Sequence, residues 1–237
     1  ILLVLSLATW LVLYPPSLAP FHDEIQALLS RKLNRPITFR DLSWTWSGGL
    51  KVRVSGVQMG SRSLRADQVR LGLELLPLLG GETRLQGLEL VGLRLRIERR
   101  ADGQLSVGGN PPTDAAAPGE SFPLARFQRF RVSDGPLHFA DHTTAEPVRL
   151  VLRHWDLDLR STSEGRQLRA HGELGGGEVG VNGDIRHFER GPGGWGLDLR
   201  LLGSSLSLDP VLPYLGDEAP QGVGGALAFW SRLHGGL

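Results

Sequence analysis

Residues 64–75, LRADQVRLGLEL, and 85–98, LQGLELVGLRLRIE, decide the fold. In the first, Val69, Leu71, Leu73 and Leu75 alternate with Gln68, Arg70, Gly72 and Glu74; in the second, Leu93, Leu95 and Ile97 alternate with Arg94, Arg96 and Glu98. A period of two places the apolar set on one face of a strand and the charged set on the other. The rest of the chain offers only one convincing amphipathic helix to cover such a face. Another sheet, closure into a barrel, or something that is not protein must cover the remainder.

That helix is read over Phe21–Leu33. Phe21, Ile25, Leu28, Leu29 and Leu33 follow helical spacing, Asp23 and Glu24 open it, Arg31 and Lys32 close it, and Asn34 and Pro36 stop it. Strands are expected from Ile37 onward. Ile37 and Phe39 open one, and Trp44 and Trp46 continue it on a face expected to pack on the helix. Leu50, Val52 and Val54 follow, with a bulge at Ser55–Gly56 that passes the apolar phase to Val57 and Met59. Leu76–Gly81 reads as a tight apolar turn, and Asn182–Gly183 as a hairpin turn.

One spacing recurs three times. Val54, Val57, Met59, Leu64 and Ala66 match Leu85, Leu88, Leu90, Leu95 and Ile97, and then Phe127, Phe130, Val132, Leu137 and Phe139. The gaps predict a strand, a tight turn and a returning strand, with Gly60, Gly92 and Asp134–Gly135–Pro136 in the turns.

Composition narrows the function. The 237 residues can form one or two domains. The 32 glycines fall mostly between alternating runs, which favours a turn-rich β protein. All but Lys32 and Lys51 of the 26 cations are arginines, and the net charge of +1, without a basic stripe, argues against nucleic acid. With no cysteine, disulfides, thiolate catalysis and Cys-ligated zinc are excluded. No GxSxG, Walker-type or HExxH sequence occurs. His138, Asp141 and His142 resemble metal ligands but read as a solvated strand end. Gly175–Gly180 matches GxGxxG, yet the helix that phosphate cradling needs does not follow. Asp156 and Asp158 beside Arg160 read as wet sheet surface. The chain is expected to be neither an enzyme nor a metal or cofactor protein.

The first fourteen residues, ILLVLSLATWLVLY, carry no charge, and Trp10 and Tyr14 sit where an interfacial belt would lie. The run reads as a retained single-pass anchor with its upstream part missing. The alternative is a signal peptide cut after Ser17-x-Ala19, with Pro20 a poor context for cleavage. The alternating run that ends at Gly235–Gly236 likewise reads as a fragment of a longer chain.

Taken in order, LSRKLNRPITFRDLSWTW, GLKVRVSGVQMG, LRADQVRLGLELLPLLGGE and LQGLELVGLRLRIERRADGQ resemble the N-terminal region of the AsmA-like family of Gram-negative envelope proteins. The match covers residues 1–105 well and the second half less tightly, through FRVSDGPLHFAD and DLDLR. The resemblance implies a mostly β chain: a transmembrane segment and one amphipathic helix, then a curved, largely antiparallel, open-ended β-groove with an apolar interior. It implies residence in the inner membrane with the bulk in the periplasm, phospholipid as the ligand, and periplasmic or outer-membrane proteins as further partners. The expected organisation is an anchor over 1–19, a helix and first sheet unit over 20–100, a linker over 101–121 and a second sheet unit over 122–237. Val69, Leu71, Leu73, Leu93, Leu95 and Ile97 are the residues expected to touch lipid. The rival expectation is a periplasmic scaffold or assembly factor with no lipid conduit.

Overall fold

The structure, a computed structural model, describes residues 20, 22–32, 36–46, 49–60, 64–74, 85–107, 127–144, 147–187, 195–207, 209 and 225–236. The anchor with Trp10 and Tyr14, the Leu76–Gly81 turn and residues 108–121 of the expected linker lie outside them. Among the described residues no helix is long and apolar enough to cross a membrane.

The chain is mostly β. Helix α1 (His22–Lys32) precedes β1 (Ile37–Thr38), β2 (Asp41–Trp46), β3 (Leu50–Met59), β4 (Leu64–Leu73), β5 (Leu85–Val91), β6 (Arg94–Arg99) and β7 (Leu105–Val107). Then follow β8 (Phe127–Asp141), β9 (Val148–Thr162), β10 (Gly165–Leu174), β11 (Gly177–His187), β12 (Trp195–Ser207) and β13 (Ala226–Gly236). All 13 strands join one curved sheet, in the order β1-β3-β4-β5-β8-β9-β10-β11-β12-β13. β2 continues the β1 row beside β3, β6 continues the β5 row between β4 and β8, and β7 pairs with β6. Pairing is antiparallel except where β5 and β6 run parallel to β8. Residues on either side of 108–126 therefore meet in one sheet, and part of the expected linker, Leu105–Val107, is a strand.

The threefold spacing has two structural meanings. Its first copy is a hairpin: Met59 faces Leu64 and Val57 faces Ala66 across the Gly60 turn. The second and third copies are not hairpins, which corrects the turns expected at Gly92 and Asp134–Gly135–Pro136. Each runs on in one direction, and the two lie side by side in parallel. Leu85 faces Phe127 and Ile97 faces Phe139, an offset of 42 residues at both ends. What reads as a turn is a kink, carried by positive φ at Gly92 (65°) and Asp134 (54°).

The kinks form a seam across the sheet. β3 has its kink at Gly56 (φ 65°) and β9 at His154 (φ 46°). At the seam the apolar phase flips in every one of these strands, from Val54 to Val57, from Val69 to Ala66, from Leu90 to Leu93, from Val132 to Leu137 and from Leu152 to Trp155. Both phases still enter one core: Ala66, Leu93, Phe130, Val132, Trp155 and Leu159, with Val57, Leu64, Val69, Leu88, Leu95 and Leu137 packed on it. The flip thus keeps the apolar residues on the same side. Because β3 and β4 flip at the same level, Gly56 causes no register shift between them, unlike the bulge expected there. Glycine is required where the rows press together. A Cβ on Gly135 would run into the Leu93 backbone, and one on Gly92 into the Asp67 carboxylate.

The helix falls where its spacing places it, and docks through Ile25 and Leu29 on Ile37, Phe39 and Leu42. The His22 ring lies 4.5 Å from the Phe39 ring and bonds the Phe39 carbonyl at 3.1 Å. Trp44 and Trp46 stand outside this cluster and meet each other edge to face at 5.6 Å, so the expectation that they seat the helix is corrected. Leu42, one strand position earlier in phase, takes that role. Asn182–Gly183 is likewise no turn. It lies mid-strand in β11, with Gly183 between Leu168 and Leu199, and the β10–β11 turn is Gly175–Gly176, both at positive φ.

Candidate functional site

The residues expected to touch lipid divide by burial. Val69, Leu71 and Leu73 lie on β4, and Leu95 and Ile97 on β6, all half-buried. Leu93 precedes β6 and is 5% exposed, clamped against the Gly135 backbone inside the seam core. It belongs to the packed interior, whereas Leu71, Leu73 and Ile97 stand farther out on the same apolar face. Among the described residues, no second sheet lies over that face, and α1, the one helix, seats on Ile37, Phe39 and Leu42. Partial burial of aliphatic side chains is what one uncovered layer yields: neighbours on the strand shield the flanks and leave the tips open.

The opposite face carries a trough of about 690 Å³ that sequence reading missed. Its side chains occupy the positions between the leucines. Along one line across the sheet Arg53 faces Arg70, Arg70 faces Glu89, Glu89 faces Arg131 and Arg131 faces Asp158. Along the next, Lys51 faces Gly72, Gly72 faces Gly87, Gly87 faces Arg129 and Arg129 faces Arg160. The signal was present as alternating cations. Only the strand register shows which of them stand together.

Carboxylates tie down part of this array. Arg70 donates to Glu89 at 3.0 Å and to Gln68 at 2.7 Å. Arg129 donates twice to Asp158, at 2.9 and 2.8 Å, and Arg160 twice, at 2.9 and 2.6 Å. The Arg129 guanidinium, helped by Arg160 and opposed by partial burial, holds the Asp158 carboxyl well below the usual range. Asp156 sits instead beside His171, 3.2 Å away, so the two aspartates have separate partners.

The other polar candidates have structural roles. Asp141 is 1% exposed, accepts from the Thr143 amide and hydroxyl at 2.9 and 2.7 Å, and lies 3.5 Å from Arg99. It shapes the end of β8, while His138 and His142 are exposed. Among the described residues no three His, Asp or Glu side chains are placed to hold a metal ion. Compared with the known protein families the chain matches none, and compared with curated proteins it matches none either.

Proposed function

We propose that the chain is an AsmA-like, inner-membrane-anchored periplasmic protein whose apolar sheet face holds phospholipid acyl chains, acting in phospholipid transport and outer-membrane lipid homeostasis. The observation that carries this reading is the strip of half-buried aliphatic side chains on β4 and β6, on both sides of the seam, with no second layer over it among the described residues. Each methylene moved from water onto such a surface is stabilised by about 0.8 kcal/mol, so a few methylenes per row hold a chain without fixing it. Movement along a face needs no bond-making.

A photo-crosslinking residue at Leu71 or Ile97 is expected to capture phospholipid in cells, and one at Arg94 or Arg96 on the polar face is not. Labelling at neither set, or equally at both, refutes the reading. The second reading, a scaffold for outer-membrane assembly without a conduit, is favoured by the edge strand β13, where Trp230 is 73% and Leu233 52% exposed. Protein capture at Trp230 together with no lipid at Leu71 would select it.

A further inference from the structure

We infer that the trough on the polar face is a binding site for a phosphate group, carried either by a small soluble ester or by a lipid headgroup. Six cations line it, Lys51, Arg53, Arg70, Arg129, Arg131 and Arg160, against one carboxylate in its wall, Glu89. Two like-charge pairs stand directly opposite each other on neighbouring strands, Arg53 with Arg70 and Arg129 with Arg160. Such pairs destabilise a sheet unless an anion sits between them. Asp158 is that anion for the second pair, and Glu89 engages Arg70. Arg53 and Arg131 have no ion pair among the described residues. They lie three rows apart, roughly 14 Å at about 4.8 Å per strand.

The floor between the cations is open. Gly72 faces Gly87, with Lys51 beyond one and Arg129 beyond the other. Neither glycine is at positive φ, so the dihedral angles do not demand glycine there, although a Cβ on Gly87 would press on the Arg129 carbonyl at 3.3 Å. A Cβ on Gly72 would meet the Gln86 side chain and the next amide, 3.3 Å to Gln86 Oε1, 3.5 Å to Gln86 Cβ and 3.6 Å to the Gly87 nitrogen. What the two glycines provide is a stretch two strands wide that carries no side chain of its own, edged by Gln86 and bordered by guanidinium forks. Forks of this kind match the tetrahedral oxygens of phosphate in bidentate fashion. A volume of about 690 Å³ also falls in the range of small-ligand sites, about 300–1,000 Å³.

The test is calorimetric titration of the full chain in neutral detergent with three probes: glycerol 3-phosphate, monomeric dihexanoyl phosphatidic acid, and dihexanoylglycerol, which lacks the phosphate. Saturable binding of either phosphate probe is expected, weakened about tenfold or more in Arg53→Gln/Arg131→Gln, as removal of charge-assisted hydrogen bonds implies, and unchanged in Arg149→Gln. Gly72→Val fills the gap without altering charge and is expected to weaken binding as well. Binding of glycerol 3-phosphate assigns a site that the headgroup alone satisfies. Binding of phosphatidic acid only, still sensitive to the arginine pair, assigns a lipid source. The inference is overturned by no binding of either phosphate probe, by equal binding of dihexanoylglycerol, or by equal losses in Arg149→Gln and the double variant. Circular dichroism establishes that each variant is folded. Because glycerol 3-phosphate has no acyl chain, its result stands apart from the reading of the apolar face.

Discussion

Replacing Leu93 with alanine separates the packed part of the apolar face from the open part. Leu93 is 5% exposed and lies among Ala66, Val132 and Trp155 in the seam core. Removing three carbons at about 0.8 kcal/mol each loses about 2.4 kcal/mol of transfer free energy. The Gly135 backbone pressed against Leu93 limits collapse, so the residual cavity raises the cost to about 3–4 kcal/mol. Leu71 is half-buried on the same face, and its truncation is expected to cost about 1 kcal/mol. Urea unfolding of the full chain in neutral detergent, followed by far-ultraviolet circular dichroism, measures both. Equal losses at Leu71 and Leu93 would refute the reasoning, because protein would then cover the face throughout and leave no room for acyl chains.

Gly135→Ala is expected to destabilise by about 3 kcal/mol or more, since its Cβ collides with backbone that cannot rotate away; thermal unfolding reads this. Asp158→Asn is expected to cost about 1 kcal/mol at neutral pH. Because the folded pKa of Asp158 is depressed, its contribution is complete above the ordinary carboxylate value near 3.9 and is lost as pH falls from there toward the folded value. Stability of the parent should therefore fall more steeply below about pH 4 than that of the variant. The His22 pKa is raised, first by its bond to Asp23 and then by the Phe39 carbonyl, so its contribution is full below about 6.5 and disappears as pH rises through the raised value. Hydrogen-exchange protection factors in α1, which remove the intrinsic base catalysis, should fall over that rise in the parent and stay level in His22→Gln.

Much of the fold was legible because period two and period 3.6 are written in single residues. Helix α1, the alternation on β4 and β6, and the first of the three spaced copies are where those patterns place them. The kinks were misread for a physical reason. A strand that turns back and a strand that bends without turning both invert the apolar phase, and glycine or aspartate at positive φ serves either. Gly60 makes a turn and Gly92 a kink, and nothing local distinguishes them; the partner strand decides. Asn182–Gly183 failed similarly, as the long pairing of β11 with both neighbours overrode a dipeptide with strong turn preference. The basic trough was hidden because Arg53, Arg70 and Arg131 are far apart in the chain and are joined only by register.

The parallel contact of β5 and β6 with β8 also bears on how the chain finds its fold. From β8 onward each strand pairs antiparallel with the next in sequence, with β9–β10 and β10–β11 joined by turns at 163–164 and 175–176. Hairpins of this kind close within microseconds. The parallel contact joins two halves of the chain whose paired residues lie 42 apart in sequence, so it carries the larger loop-closure cost. The two halves meet as key and lock, because the apolar gaps are unequal. A slip of two residues one way would set Leu85 against Arg129, Leu90 against Asp134 and Ile97 against Asp141. A slip the other way would set Leu88 against Gln128 and Leu95 against Gly135. Of these registers only the native one sets an apolar side chain opposite each of Leu85, Leu88, Leu90, Leu95 and Ile97, so an irregular repeat proofreads the joint that a regular one would leave free to slide.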